Sequence, residues 1–331
     1  MKLKIDKSVI FIPLLIALIL ISIANNQQAQ QAGDVRTLSI ASGDSGGTYY
    51  YIGAGQANIL GGALGLSVST QSTSGSPVEN MTLVSQSPQN LGIVTLDGFY
   101  FGAQGDAERG FSAPIQNARV LQVGHTAYLY ALTVEGTGIT DLSQLKGKTV
   151  SVPPTGSSTY YMALAVLDAY GCNESNSKII PLASSEQSEA LNDGAIDCAF
   201  MAGGIPQATV MDLDFSGKLV FLSIDPDTQK RLDSDYPYWH SSVIPAGSYT
   251  RQTGDVNCLT VTTMLVCNSA MSNELAYEIT KVLNESTGEL AAINASGAEW
   301  NTETTLPYLD SDILTFHPGA LQYYAQNTDK E

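Results

Sequence analysis

The sequence predicts an α/β protein of two βαβ-type lobes, joined by a two-stranded hinge, with a ligand cleft between them. Three observations lead there. A strand–loop–helix pattern occurs twice, with similar Gly/Ser/Thr/Tyr loops at matched positions. The 331 residues are enough for about two domains, each burying its own core. A long β-branched run, residues 256–266, can carry the chain back from the second lobe to the first.

Taken in order, Thr37–Ala41 is a short β-rich run. Gly43-Asp44-Ser45-Gly46-Gly47-Thr48-Tyr49-Tyr50 follows, then a helix-like stretch to about Leu60. Residues 66–70 read as a second strand and 90–94 as a third. Between them, 76–85 read as a capped helix, with Pro77 in the first turn and Glu79 three residues after Ser76. The second copy runs through the β-rich residues 149–153, the loop Thr155-Gly156-Ser157-Ser158-Thr159-Tyr160-Tyr161 and a helix over 162–169. It continues with a strand at Lys178–Pro181, a helix over 185–191 and a third strand over 195–200. Residues 273–284 and 285–293 look helical, and the tail 306–324 is expected on the first lobe. The expected organisation is an export signal or N-terminal anchor over 1–24, a linker over 25–35, lobe 1 over 36–130 plus 250–331, and lobe 2 over 131–249.

The export signal rests on Lys2, Lys4 and Lys7 followed by an apolar run over 9–24, with Ser22 and Ala24 as small residues at a cleavage site. Cleavage after Ala24 is the reading, with an uncleaved anchor as the alternative. The protein is therefore placed outside the cytoplasm. With 32 acidic and 15 basic residues the chain carries a net charge of −17, and loss of residues 1–24 makes it −19. A body this negative repels phosphate backbones and anionic membrane surfaces, which argues against nucleic acid as a partner.

Cys172, Cys198, Cys258 and Cys267 match neither paired CxxC nor a Cys/His zinc pattern. In an exported protein Cys172 and Cys198, which flank one strand–helix unit, are placed to pair, whereas Cys258 and Cys267 lie at opposite ends of one strand. Free buried thiols are the alternative for both pairs. Asn80, Asn173, Asn284 and Asn294 stand in N-x-S/T sequons.

Ser45-Gly46-Gly47-Thr48 and Gly156-Ser157-Ser158-Thr159 each lie between a strand end and a helix start. Small residues let a ligand approach the backbone, and exposed N–H groups with hydroxyls make an anion site. Ordinary helix capping is the alternative, but two such loops at matched positions favour a small carboxylate held between them. Asp97 follows the third strand and points at the cleft, either to hold an amino group or to cap a helix. No Arg falls in the strand–helix loops, so backbone N–H and hydroxyl groups are expected to carry the anion. Gly43-Asp44-Ser45-Gly46-Gly47 also matches the G-x-S-x-G elbow, which makes a serine hydrolase using Ser45 a remote alternative; nothing marks His125, His240 or His317 as its partner. The histidine spacing gives no metal site, and no cofactor motif is present.

Five segments in order, Ser45–Tyr50 (SGGTYY), Gly75–Asn80 (GSPVEN), Asp141–Lys148 (DLSQLKGK), Asn192–Asp197 (NDGAID) and His317–Tyr324 (HPGALQYY), together resemble the TAXI family, the extracytoplasmic solute-binding subunits of TRAP transporters. The resemblance covers about 37–324. It implies a type II periplasmic-binding-protein fold, a monomer without cofactor, and capture of a small organic acid or amino acid such as glutamate, glutamine or 2-oxoglutarate. It implies delivery of that solute to an ion-driven membrane permease, with a sensor feeding a membrane kinase as the alternative use. Ligand contacts carried over by position are Gly47, Thr48, Tyr49, Ser74, Ser76, Gly156, Ser157 and Thr159, together with Asp97 and the strand end at Gly203. Ser158 stands where relatives often have glycine, so a Cβ enters that loop.

Overall fold

Two long strands dominate the computed structural model, which describes residues 37–327. They are β4 (Ala118–Val134) and β10 (Val256–Asn268), which pair antiparallel from Ala118↔Asn268 to Tyr128↔Thr260. Each is too long for one half of the molecule and serves both. The export segment and linker lie outside the described residues, and among the described residues no helix is long and apolar enough to cross a membrane.

In the first half, β1 (Thr37–Ala41) pairs parallel with β2 (Ser67–Gln71) and β3 (Asn90–Thr95). In the second, β5 (Thr149–Val152) pairs parallel with β6 (Lys178–Pro181) and β7 (Cys198–Gly203). β10 runs antiparallel beside β3, and β4 antiparallel beside β7, so the sheet order β2-β1-β3-β10-β4-β7-β5-β6 reads alike from both ends. Two short strands complete it: β8 (Leu219–Leu222) on β4 and β9 (His240–Ile244) on β10. The crossings lie inside the long strands. The second half's core takes in Ala127 and Leu129 from β4, and Leu259 and Val261 from β10.

Helices cover both faces, as parallel strands require. α1 (Thr48–Leu64), α2 (Pro77–Gln86) and α3 (Leu96–Gln104) belong to the first half. α4 (Ser158–Ala169), α5 (Ser184–Asn192), α6 (Ala208–Phe215) and α7 (Pro226–Asp235) belong to the second. α8 (Asn273–Glu285), α9 (Thr287–Ile293), α10 (Thr302–Thr305) and α11 (Pro318–Asn327) return to the first. The tail packs there through a Val120↔Phe316 bridge and the Tyr324 hydroxyl, which donates to the Leu121 carbonyl at 3.1 Å.

Several sequence expectations shift for visible reasons. The third strand of the second half starts at Cys198 rather than Ala195, because the Ala195 and Ile196 amides close the exit of α5 on the Ala190 carbonyl at 2.8 and 3.3 Å. Asp197 is diverted too, its carboxylate accepting the Thr149 amide at 2.8 Å. α5 starts one residue early, with Glu186 folded back to accept the Ala183 amide at 2.9 Å. All four cysteines are buried free thiols, so Cys172 and Cys198 are not bridged. Cys172 Sγ instead lies 3.1 Å from Ser177 Oγ. Asn80 is fully buried, its amide donating to the Ser42 and Ile93 carbonyls at 2.8 Å, which closes that sequon to a glycan.

Candidate functional site

At the carboxyl ends of the parallel strands, where the two halves meet, lies a cavity of about 70 Å³. Its floor and walls come from the matched loops. Gly47, Thr48, Tyr49 and Ser74 contribute from the first half, and Ser157, Thr159 and Gly203 from the second. These seven sequence-predicted residues are thus brought to one place. Ser76, Gly156 and Asp97 are not on this wall. They form a seam beside it, where the Ser76 hydroxyl donates to the Gly156 carbonyl at 2.9 Å. Gly156 takes a positive φ of 83°, and a Cβ there would sit 3.3 Å from Ser76 Oγ, so glycine suits both the turn and the close approach.

Asp97 is 2% exposed and acts as a tie between the halves. Its Oδ2 accepts the Ser158 hydroxyl at 2.5 Å and the Trp239 indole N–H at 3.1 Å, while Oδ1 accepts the Gly98 amide at 2.8 Å. The cap of α3 is Thr95, not Asp97. The extra Cβ of Ser158 therefore carries a hydroxyl into this seam. Two further ties flank the cavity: the Gly204 amide donates to Thr48 Oγ1 at 3.1 Å, and the Thr209 hydroxyl donates to the Gly46 carbonyl at 2.8 Å. On the seam beside Asp97, Gly156 and Ser158, Arg109, on a short 3₁₀ turn, stacks over Tyr161 at 4.4 Å and Phe101 at 4.7 Å and donates to the Tyr238 hydroxyl at 3.1 Å. Arg109 lies outside the strand–helix loops, and its partner Tyr238 is 129 residues away along the chain, so its sequence position gives no sign of this contact.

The electrostatics come from helix ends. α1 begins after Gly47, which offers no side-chain cap, and Gly47, Thr48 and Tyr49 at the start of that 17-residue helix line the cavity. α4 begins at Ser157, whose hydroxyl caps the Tyr160 amide at 3.1 Å. No Lys or Arg is among the described residues of the wall. The one ionisable carboxyl on it is Asp44, which the sequence reading did not single out. Its Oδ2 accepts the Ser184 amide at the start of α5, at 3.1 Å. Burial pushes the Asp44 carboxyl above its ordinary range, against the opposing pull of the Ser184 hydrogen bonds. Burial, and then the Asp97 charge, push the Tyr49 phenol well above its ordinary value.

Behind Tyr49 lies His125, edge-on to its ring at 5.8 Å. The Trp300 indole donates to His125 Nδ1 at 3.1 Å, which assigns the imidazole proton to Nε2. Burial lowers the His125 pKa to about 3. Between that value and an unfolded value near 6.5 the unfolded chain binds more protons, so stability falls as pH drops through this window. Asp44 and Glu299, both raised by burial, act with the opposite sign just above the ordinary carboxylate range. His125→Asn, which keeps an acceptor for Trp300, is expected to flatten the stability–pH slope between pH ~4.5 and ~6 by up to about 1.4 kcal/mol per unit in chemical denaturation. An unchanged slope would contradict the neutral, buried assignment.

The geometry also bears on Ser45. Ser45 is exposed, and each histidine is engaged elsewhere: His125 with Trp300, His240 near Asp233 at 3.7 Å, and His317 with the Met271 carbonyl at 3.1 Å. No histidine hydrogen-bonds Ser45 among the described residues, so the nucleophile–base contact that an elbow serine needs is not formed.

Two α/β halves sharing two long antiparallel strands, with helix starts converging on a cavity between them, define the periplasmic-binding-protein architecture. The structure of the periplasmic binding protein BugD matches with a TM-score of 0.59 at 11% identity, covering 88% of this chain and 95% of that one. MatC from Rhodopseudomonas palustris, determined with bound malate, matches with a TM-score of 0.57 at 13% identity over 88% and 97% of the two chains. By sequence, the chain belongs to the NMT1-like family, whose model matches residues 40–327.

Proposed function

We propose that this chain is an extracytoplasmic solute-binding protein that captures a small organic acid or amino acid and hands it to a membrane permease of the TRAP type. The observation that carries the reading is the cavity itself, set where the starts of α1 and α4 converge and bordered by hydrogen bonds that join the two halves. A volume of about 70 Å³ suits a solute of a few heavy atoms and is well below the 300–1,000 Å³ of drug-sized sites. Binding is by clamshell closure: the halves part within the spans where β4 and β10 cross, and the ligand's carboxylate is held by helix-start amides and hydroxyls instead of an arginine. The likeness to BugD and MatC supports the architecture, and the TAXI-like motifs support the TRAP assignment. The basic-then-apolar N-terminus supports export. Such a receptor performs no catalysis, acts as a monomer and needs no cofactor.

A thermal-shift screen of small amino acids, oxo acids and dicarboxylates is expected to give at least one ligand that raises the melting temperature, by linkage. For that ligand, Thr48→Val and Ser157→Ala should each weaken binding by about 1–3 kcal/mol in calorimetric titration. The first removes the acceptor of the Gly204 amide and the second uncaps α4. Unchanged affinity in both variants would remove these residues from the site.

A further inference from the structure

The cavity wall is chemically two-sided. Around the starts of α1 and α4 it presents donors: first-turn amides and the Tyr49 hydroxyl, which lines the cavity and has no hydrogen-bond partner among the described residues. Opposite in character is Asp44, the one carboxylate of the wall, with no basic side chain beside it to balance its charge. One of its oxygens is spent on the Ser184 amide at 3.1 Å. The other, Oδ1, lies over Gly47 at the cavity wall, so close that a Cβ on that glycine would come within 2.7 Å of it. Backbone groups at Asp44 and Gly46 also hydrogen-bond the carboxylate, and glycine at position 47 leaves Oδ1 its room at the wall.

We infer that Asp44 is the residue that selects the solute, favouring small α-amino acids, whose ammonium group it accepts, over the corresponding 2-oxo acids and dicarboxylates. This rests on the solute-binding reading above and specifies its ligand. A zwitterion meets donors with its carboxylate and an acceptor with its ammonium, so both ends are satisfied. A second carboxylate near Asp44 would put like charges side by side, where they cannot both stay ionised without cost. A keto oxygen would face an acceptor and leave it without a donor, which also costs affinity. Asp44 has a second effect on selection, because it spends the positive start of α5 internally. With the start of α5 occupied, the matched starts of α1 and α4 are the pair that remains to hold the ligand's carboxylate.

Calorimetric titration of the full chain with matched pairs, alanine against pyruvate and glutamate against 2-oxoglutarate, tests this. The amino acid of at least one pair should bind at least about 10-fold tighter than its oxo acid. Asp44→Asn, which keeps the shape and an acceptor for Ser184, should bring the two members of that pair to within about 3-fold, mainly through loss of amino-acid affinity. An oxo acid binding as tightly as its amino acid in the unmodified chain, or a preference that survives in a folded Asp44→Asn, overturns the assignment while leaving the solute-binding reading standing. Binding of neither member of either pair overturns this assignment as well; if the wider thermal-shift screen is also blank, the solute-binding reading falls with it. If Asp44→Asn does not fold, the pairwise comparison in the unmodified chain decides alone.

Discussion

Replacing Asp97 with alanine is expected to weaken ligand binding by roughly 100-fold while leaving each half folded. The carboxylate accepts two hydrogen bonds from the opposite half, from the Ser158 hydroxyl at 2.5 Å and the Trp239 indole at 3.1 Å. Charge-assisted bonds of this kind contribute about 1.5–3 kcal/mol each. Their loss biases the halves apart, and a receptor whose closed form is less populated shows a proportionally weaker apparent affinity. About 3 kcal/mol of lost closure corresponds to the roughly 100-fold figure, and the effect should appear in affinity for every ligand alike. That uniformity separates Asp97 from a wall residue, whose loss changes one ligand more than another. Titration of the variant with two different ligands checks it. An affinity within about 3-fold of the unmodified chain would mean that the seam contributes little to closure.

Gly124→Ala should be strongly destabilising. Gly124 lies in β4, and a Cβ there would fall 2.2–2.4 Å from three ring atoms of Trp300. The indole cannot give way easily: it is fully buried and held by its hydrogen bond to His125. Overpacking a rigid aromatic in a core typically costs about 1–3 kcal/mol, and with three ring atoms in conflict the upper end is expected. Because Trp300 also positions His125 behind Tyr49, the damage should reach the cavity. Chemical denaturation should show the midpoint falling at unchanged slope. A stability equal to that of the unmodified chain would show that Trp300 has room to move.

Much of this architecture was legible in the sequence because it is repeated. The two Gly/Ser/Thr/Tyr loops are alike since each does the same job, turning from a strand end into a helix start, and the structure puts both on one cavity. What was hidden depends on contacts that leave no local trace. β4 runs 17 residues without a turn signal, but Gly124 and His125 interrupt its apolar pattern, and both make sense once Trp300, 175 residues beyond His125, packs against them. Asp44 looked like part of a turn, and its importance comes from an amide 140 residues away. Asp97 was expected to point at the cleft to hold an amino group or cap a helix; it instead lies buried in the seam beside the cavity, and its partner Trp239 sits 142 residues further on, at the end of a Tyr-rich loop with no periodicity to announce it. The net charge of −17 gave no hint of an anion site, since charge on the surface is screened while helix-start amides act at contact range.

The most direct test of the account is a crystal structure of the chain with the tightest ligand from the thermal-shift screen. The predicted result is a single solute in the cavity, its carboxylate between the helix starts at Thr48 and Ser157, with the Ser158–Asp97 and Gly204–Thr48 hydrogen bonds intact around it. A solute seated elsewhere, or an empty cavity with the two halves joined as they are here, would contradict it.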